Sequence, residues 1–213
     1  MKERILETTD RLFYGQGIRA VGVDTIAAEI GISKRTLYNY FPSKDALIVA
    51  YLTRRAVPRS IPDRPPLEQI LGVFDWLERW FASKAFRGCP FVNAVAEIGE
   101  RSHPATRIAV DQKERRRVAF RDILIRLGVA DPDGLATQLV ILVEGAMAAA
   151  LVRDDTATAM ARAAKSAARV LLTAAGVPEG EENRKAPEIT ARGRARKSPP
   201  RSKNAGRAGT RRR

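Results

Sequence analysis

The stretch from Val23 to Leu47, VDTIAAEIGISKRTLYNYFPSKDAL, admits few folds, because its punctuation cuts it into short helices joined by a tight turn. Ile26, Ala27 and Ile30 share one helical face, and Gly31 follows where a left-handed residue ends a helix. Ile32 puts an apolar side chain into the corner, and Ser33 can cap a second helix. In that helix Leu37 and Phe41 point inward one turn apart, leaving Lys34, Arg35, Thr36, Tyr38 and Tyr40 outside. Ala27 and Ala28 offer small surfaces for close approach of the two helices. Pro42 stops the second helix, and Ser43 can cap another with Lys44 in its first turn.

The exposed face is basic, hydroxylated and aromatic, which suits a nucleic-acid duplex. Lys and Arg neutralise phosphates, Thr and Tyr donate to phosphate oxygens, and a helix N-terminus adds its own amides. The spacing matches a helix-turn-helix, whose second helix enters the major groove with Lys34, Arg35 and Thr36 nearest the base edges. A short helical hairpin with solvated charges is the alternative. The string also resembles the N-terminal domain of the TetR family of bacterial transcription regulators, through Ile26-Ala27, Gly31-Ile32-Ser33, Thr36-Leu37-Tyr38, Tyr40-Phe41 and Ser43-Lys44-Asp45-Ala46-Leu47. The resemblance implies DNA contacts from Gly22, Thr25, Ser33, Lys34, Arg35, Thr36, Tyr38, Tyr40 and Lys44. Gly22 departs from the family pattern of Ser or Thr, so a contact there falls to backbone amides.

Ile5, Leu6, Thr9, Leu12 and Phe13 form the inward stripe of a preceding helix, ended by the Gly15 and Gly17 pair. The helix opened by Ser43 runs through Leu47, Ile48, Tyr51 and Leu52 towards Pro58, and Pro58, Pro62, Pro65 and Pro66 mark a domain boundary. From Leu67 to about Phe86 the residues Ile70, Leu71, Phe74, Leu77, Trp80 and Phe81 recur at helical spacing. Phe74 and Trp80 read equally as core or as the lining of an apolar ligand cavity, which a two-domain regulator needs for sensing.

Pro90 reads as a first helical residue, placing Cys89 at or near the cap, at the positive end of the helix dipole. Cys89 is therefore either a small buried hydrophobe or a redox or electrophile sensor. Asn93 either orients a ligand or satisfies a backbone group; Phe91, Phe120 and Glu144 complete the candidate ligand set. His103, before Pro104, caps or turns, and a single His offers no metal site. The charged run Gln112 to Arg117 reads as a solvated face, after which Val118, Phe120, Ile123 and Leu124 return to the core.

With Asp131 or Asp133 as cap, an apolar helix runs from about Leu135 to Val152, and a last one from Thr156 to about Ala175. Both are rich in Gly and Ala, including Gly145, Ala148, Ala163 and Ala164, and present more apolar face than one small domain covers, as a dimer interface would. In TetR relatives the last two helices of each protomer form a four-helix bundle, which the resemblance extends to this chain.

The charge distribution separates the final segment from the rest. Of 38 Lys and Arg in the 213 residues, twelve lie in 184–213 with one acidic residue, although the whole chain carries a net charge of +14. That segment, poor in apolar residues, is expected to be a disordered tail acting as an inert extension or a nucleic-acid arm. The single Cys suits a reducing cytoplasm, the N-terminus lacks a signal-like apolar run, and the region Leu139 to Val152, broken by Glu144, is short for a bilayer span. Neither paired carboxylates at metal spacing, nor a phosphate-cradling Gly loop, nor a nucleophile with a matched base is present, so neither an enzyme nor a cofactor is expected.

The expected fold is all-α: a three-helix helix-turn-helix DNA-binding domain over 1–57, a helical ligand-sensing and dimerisation bundle over 58–178, and a basic tail over 179–213. The expected function is a cytoplasmic, homodimeric transcriptional regulator, a repressor that reads a palindromic double-stranded operator and answers a small-molecule effector. The alternative is a largely non-specific, chromatin-like DNA binder driven by the tail.

Overall fold

The computed structural model describes residues 1–57, 64–153 and 156–178, and all the regular structure among them is helical. Four helices build the N-terminal part: α1 (Lys2–Gln16), α2 (Val23–Ile30), α3 (Lys34–Tyr40) and α4 (Lys44–Arg55). Ile5, Leu12, Phe13, Ile26, Ile30, Leu37, Leu47 and Leu52 are buried together as their shared core. Phe13 meets Tyr51 edge to face at 5.8 Å, fastening α1 to α4.

The corner between α2 and α3 is made locally. Gly31 sits in the left-handed region at φ 75, where a side chain would be strained, and the Ile32 N–H bonds back to the Ala27 carbonyl at 3.0 Å. Ser33 Oγ then accepts the Thr36 N–H at 3.0 Å, and Ser43 Oγ accepts the Ala46 N–H at 3.0 Å. Ala27 is buried in the corner, but Ala28 faces solvent and takes no part in the helix approach. Gly17 ends α1, whereas Gly15 lies inside its last turn.

Five helices follow: α5 (Pro66–Phe81), α6 (Pro90–Ile98), α7 (Pro104–Arg126), α8 (Pro132–Leu151) and α9 (Ala157–Ala174). The expected domain boundary at Pro58 and Pro62, the dipeptide Asp154-Asp155 and the basic segment 179–213 lie outside the described residues. Helix α5 ends five residues before Phe86, because Ser83 starts a competing turn, its Oγ accepting the Ala85 N–H and its carbonyl the Phe86 N–H. Phe86 folds back onto Phe81 and Trp80, with ring centroids 4.6 and 5.0 Å away.

Helix α9 runs antiparallel to α5, Arg162 pairing with Glu78 and Lys165 with Asp75. Helix α8 packs between α7 and α9, burying Leu135, Leu139, Val143 and Met147. At twenty residues α8 is long and apolar enough to cross a membrane, longer than the 139–152 stretch suggested, because Asp131 caps it from before Leu135 through the Gly134 N–H at 2.9 Å. Here its apolar side serves as the core between two helices.

Candidate functional site

Helix α3 lies across the outside of the N-terminal core, anchored by the fully buried Leu37. Around that anchor Arg35 and Lys34 stand in solvent, Tyr38 and Tyr40 are 38% and 42% exposed, and Thr36 is half-buried beside the Ser33 cap, with Ser33 Oγ and Thr36 Oγ1 2.8 Å apart. Thr25 is exposed on α2, Gly22 caps that helix in an extended conformation without a side-chain bond, and Lys44 is half-buried in the first turn of α4. The candidate contact residues thus cluster around the N-termini of three short helices. Those termini add backbone N–H donors to the basic side chains.

One residue of this face was not singled out by the sequence. Asp24 accepts a hydrogen bond from Lys34 Nζ at 2.9 Å, and that bond, the largest cause, raises the Lys34 pKa. Both groups are well exposed, so the pair is weak and a phosphate can replace the carboxylate. The signal, an acid ten residues before a base across a turn, is visible only once α2 and α3 are folded against each other.

The C-terminal part holds a cavity, and another lies between it and α1. An open apolar groove of about 570 Å³ runs between α6, α7 and α8, lined by Phe91, Val92, Val95, Ala96, Ala109, Val110, Val140 and Ile141, with Thr106, Lys113, Glu114, Arg117 and Thr137 among its polar members. Of the seven candidate ligand residues only Phe91 lines it. Phe74 and Phe120 are buried in the core, and Trp80 stacks on Trp76 at 4.8 Å, so these three line neither cavity. The groove-lining aliphatic residues lie on faces that a one-helix reading assigns to solvent, which is why the sequence did not mark them.

Behind the groove, Lys113 Nζ reaches Glu144 Oε2 at 2.6 Å and Cys89 Sγ at 3.1 Å, while Arg116 Nη1 holds the other Glu144 oxygen at 2.8 Å. The run Gln112 to Arg117 is therefore only in part a solvated face: Glu114 and Arg115 are exposed, but α7 turns Lys113 and Arg116 towards α8, and Arg117 pairs with Glu114 and Asp133. Those bonds to Glu114 and Asp133 hold the Arg117 pKa above its ordinary value, and the Arg117 bond lowers that of Glu114. Cys89 is the N-cap of α6 and is buried. Asn93 serves the backbone, its Nδ2 donating to the Arg87 carbonyl at 2.7 Å, and it lines a second, smaller cleft against α1. His103 caps α7 through Nδ1, and the described residues contain no cluster of metal ligands.

A third surface belongs to α8 and α9. Ile141, Gly145, Ala148 and Val152 form one outward stripe on α8, with Ile141 64% and Val152 78% exposed. On α9 Ala163 and Val170 face outward, whereas Ala164 is packed inside the protomer.

Fold and interface together define a helix-turn-helix DNA-binding protein with a separate helical body. Residues 5–51 match the model of bacterial regulatory proteins of the tetR family, and residues 66–166 match the C-terminal domain of LmrA/YxaF-like transcriptional regulators. A TetR-type transcriptional regulator from Streptomyces avermitilis is 34% identical, with 83% of this chain and 98% of that one covered at a TM-score of 0.72. A TetR-family regulator from Streptomyces coelicolor is 32% identical over 81% of this chain and 94% of its own, at a TM-score of 0.74. The HTH-type regulator YxaF of Bacillus subtilis is 26% identical over 72% of this chain and 86% of its own length. The chain belongs to the TetR family of bacterial transcriptional regulators, proteins that bind DNA.

Proposed function

We propose that this regulator is a homodimeric, ligand-responsive repressor that reads a palindromic operator, with domains over 1–57 and 58–178. The observation that carries this reading is the outward apolar stripe on α8 and α9. Gly145, Ala148 and Ala163 keep that surface smooth, and a Cβ built on Gly145 meets nothing within 4 Å. A smooth apolar surface suits close helix contact with a second copy. Two copies joined there carry two α3 helices, matching an operator of two half-sites about 34–36 Å apart.

The groove between α6, α7 and α8 is the proposed effector site. Its lining is mainly aliphatic, and its volume of about 570 Å³ falls within the range of small-molecule pockets. Occupancy that favours one arrangement of α6 and α7 over another would spread the two α3 helices out of register with successive grooves. Sedimentation velocity on the full chain, combined with footprinting on an operator selected from random duplexes, tests the reading. A dimer protecting two symmetric half-sites is expected; a monomer at micromolar concentration removes it.

The twelve basic residues of 184–213 favour an added electrostatic role. Each phosphate neutralised contributes about −0.9 to the slope of log K against log salt, so replacing those residues by Gln should flatten the slope by about 3 to 4 if even four of them touch DNA. Equal flattening on operator and random DNA is expected. A dominant chromatin-like role would instead leave little operator preference in the unmodified chain.

A further inference from the structure

The seam between the DNA-binding helices and the body is packed where α4 meets α7 and left open beside α1. A cleft of about 260 Å³ separates Phe13, Tyr14 and Tyr51 on one side from Arg87, Asn93 and Glu97 on the other. Interlocking side chains fix an angle between two packed parts, and where they are missing the polar contacts at the rim must do so. Beside the Arg19 N–H, which donates to Glu97 Oε2 at 2.8 Å, one side chain makes two of those contacts. The Tyr14 hydroxyl donates to the Gly88 carbonyl at 3.0 Å and accepts the Arg87 N–H at 2.9 Å.

Both ends of this link are held. On the DNA-binding side the Tyr14 ring lies under the Arg55 guanidinium, 4.2 Å from its centroid, and Asp10 grips that guanidinium with both oxygens at 2.6 and 2.8 Å. On the body side Asn93 braces the Arg87 carbonyl, and Gly88 adopts φ 79 where a Cβ would stand 3.1 Å from Leu151. The next residue, Cys89, touches Lys113 at the wall of the effector groove. The loop that Tyr14 grasps is therefore linked, through Cys89, to Lys113, which lines that groove. Burial raises the Tyr14 pKa, which keeps the hydroxyl protonated as a donor.

We propose that Tyr14 is a positioning residue for operator reading, its hydroxyl setting the angle at which the DNA-binding helices are presented and hence the separation of the two α3 helices in a dimer. This rests on the dimeric, palindromic reading above. A small rotation at the seam is carried to α3 as a change in spacing, and spacing is what a two-half-site operator measures.

The test is the dependence of affinity on half-site spacing. Operators selected by the full-length protein are lengthened or shortened by one and two base pairs, and anisotropy titrations compare the unmodified chain, Tyr14→Phe and Tyr51→Phe. Tyr51→Phe removes a hydroxyl that makes no hydrogen bond among the described residues, one ring away. The unmodified chain and Tyr51→Phe should lose roughly tenfold or more per base-pair change, since each shift moves and rotates one half-site along the helix. Tyr14→Phe should bind random DNA equally well and keep its ring contacts, but lose no more than about threefold, because loss of two hydrogen bonds beside the open part of the seam loosens the angle. Asn93→Leu, which releases the loop from the body side, should give the same flattened profile if Tyr14→Phe folds poorly. A steep profile in both Tyr14→Phe and Asn93→Leu overturns the role of Tyr14 while leaving the dimer reading intact. Flattening by Tyr51→Phe as well would assign the effect to seam packing and overturn it too. An unmodified chain indifferent to spacing would remove the palindromic reading itself.

Discussion

Helices α3 and α7 are both basic, yet they use their charge in opposite ways. On α3, Arg35 and Lys34 stand in water, and the one partner, Asp24, is itself exposed. On α7, Lys113, Arg116 and Arg117 are drawn against α8 and matched by Glu144, Glu114 and Asp133, each cation keeping only about a quarter of its side chain exposed. Exposed charge with weak partners is available to a polyanion, because little must be broken before phosphate is met. Matched charge behind an aliphatic groove is a structural brace. It closes off strong binding of an ionic ligand unless a pair is opened. The same residue types therefore stand available to a polyanion on α3 and serve as a scaffold on α7, according to whether a partner lies within reach.

The largest expected effect lies outside both helices and asks whether the α3 face acts singly or in pairs. Gly145→Arg puts a charge into the proposed dimer contact, and burying it unpaired should cost about 3–5 kcal/mol, enough to give monomers in sedimentation while the circular dichroism spectrum stays helical. Ala164→Arg is no equivalent test, since Ala164 is inside the protomer and its replacement should unfold the chain instead.

Removing charge from α3 should then cost affinity without stability. Replacing Lys34, Arg35 or Tyr38 with Ala should weaken operator binding by roughly 1–3 kcal/mol per contact, with unchanged helicity and dimerisation. Normal binding by the triple variant would show that α3 is not the reading helix. Removing charge from the α7 side should do the reverse. Glu144→Gln strips the partner from Lys113 and Arg116, both part-buried, and should lower stability by about 1–2 kcal/mol in urea unfolding with little change in the intrinsic DNA contacts. An equal loss of affinity on random DNA would erase the contrast between the two helices.

The smallest effect sharpens the contrast. Asp24→Asn removes the exposed partner of Lys34, an interaction worth about 0–1 kcal/mol, so stability should barely change. Operator affinity should rise by up to about fivefold, with a steeper salt dependence, because Lys34 no longer has to exchange a carboxylate for a phosphate. Weaker binding would mean that the pair orients Lys34 for its contact.

These differences also explain what could be read in advance. The DNA-binding corner depends on interactions between residues three to five apart: the Ser33 and Ser43 caps, the Gly31 conformation and the Ile32 return bond. Such contacts are encoded where they occur, so residue type and spacing were enough to place the helices and the outward side chains. The caps at Cys89, His103 and Asp131 were legible for the same reason. The body followed another rule. Phe74, Trp80 and Phe120 have the size and polarity of ligand-lining residues, but whether an aromatic side chain fills a core or faces a cavity depends on the helix opposite it.

Sequence by itself determined the all-helical class, the helix-turn-helix, the family and the residues that stand outward on α3, because backbone hydrogen bonds, capping and helical periodicity act over one or two turns. Tertiary structure alone decided that Val92, Val110 and Ile141 share a groove, that Lys113 bridges Glu144 and Cys89, that Ala163 rather than Ala164 faces out, and that Tyr14 holds the Gly88 loop. Those relations join residues 18 to 74 positions apart, and a helical face can be assigned to a partner only after the crossing of the helices has been set by close packing of all their side chains at once.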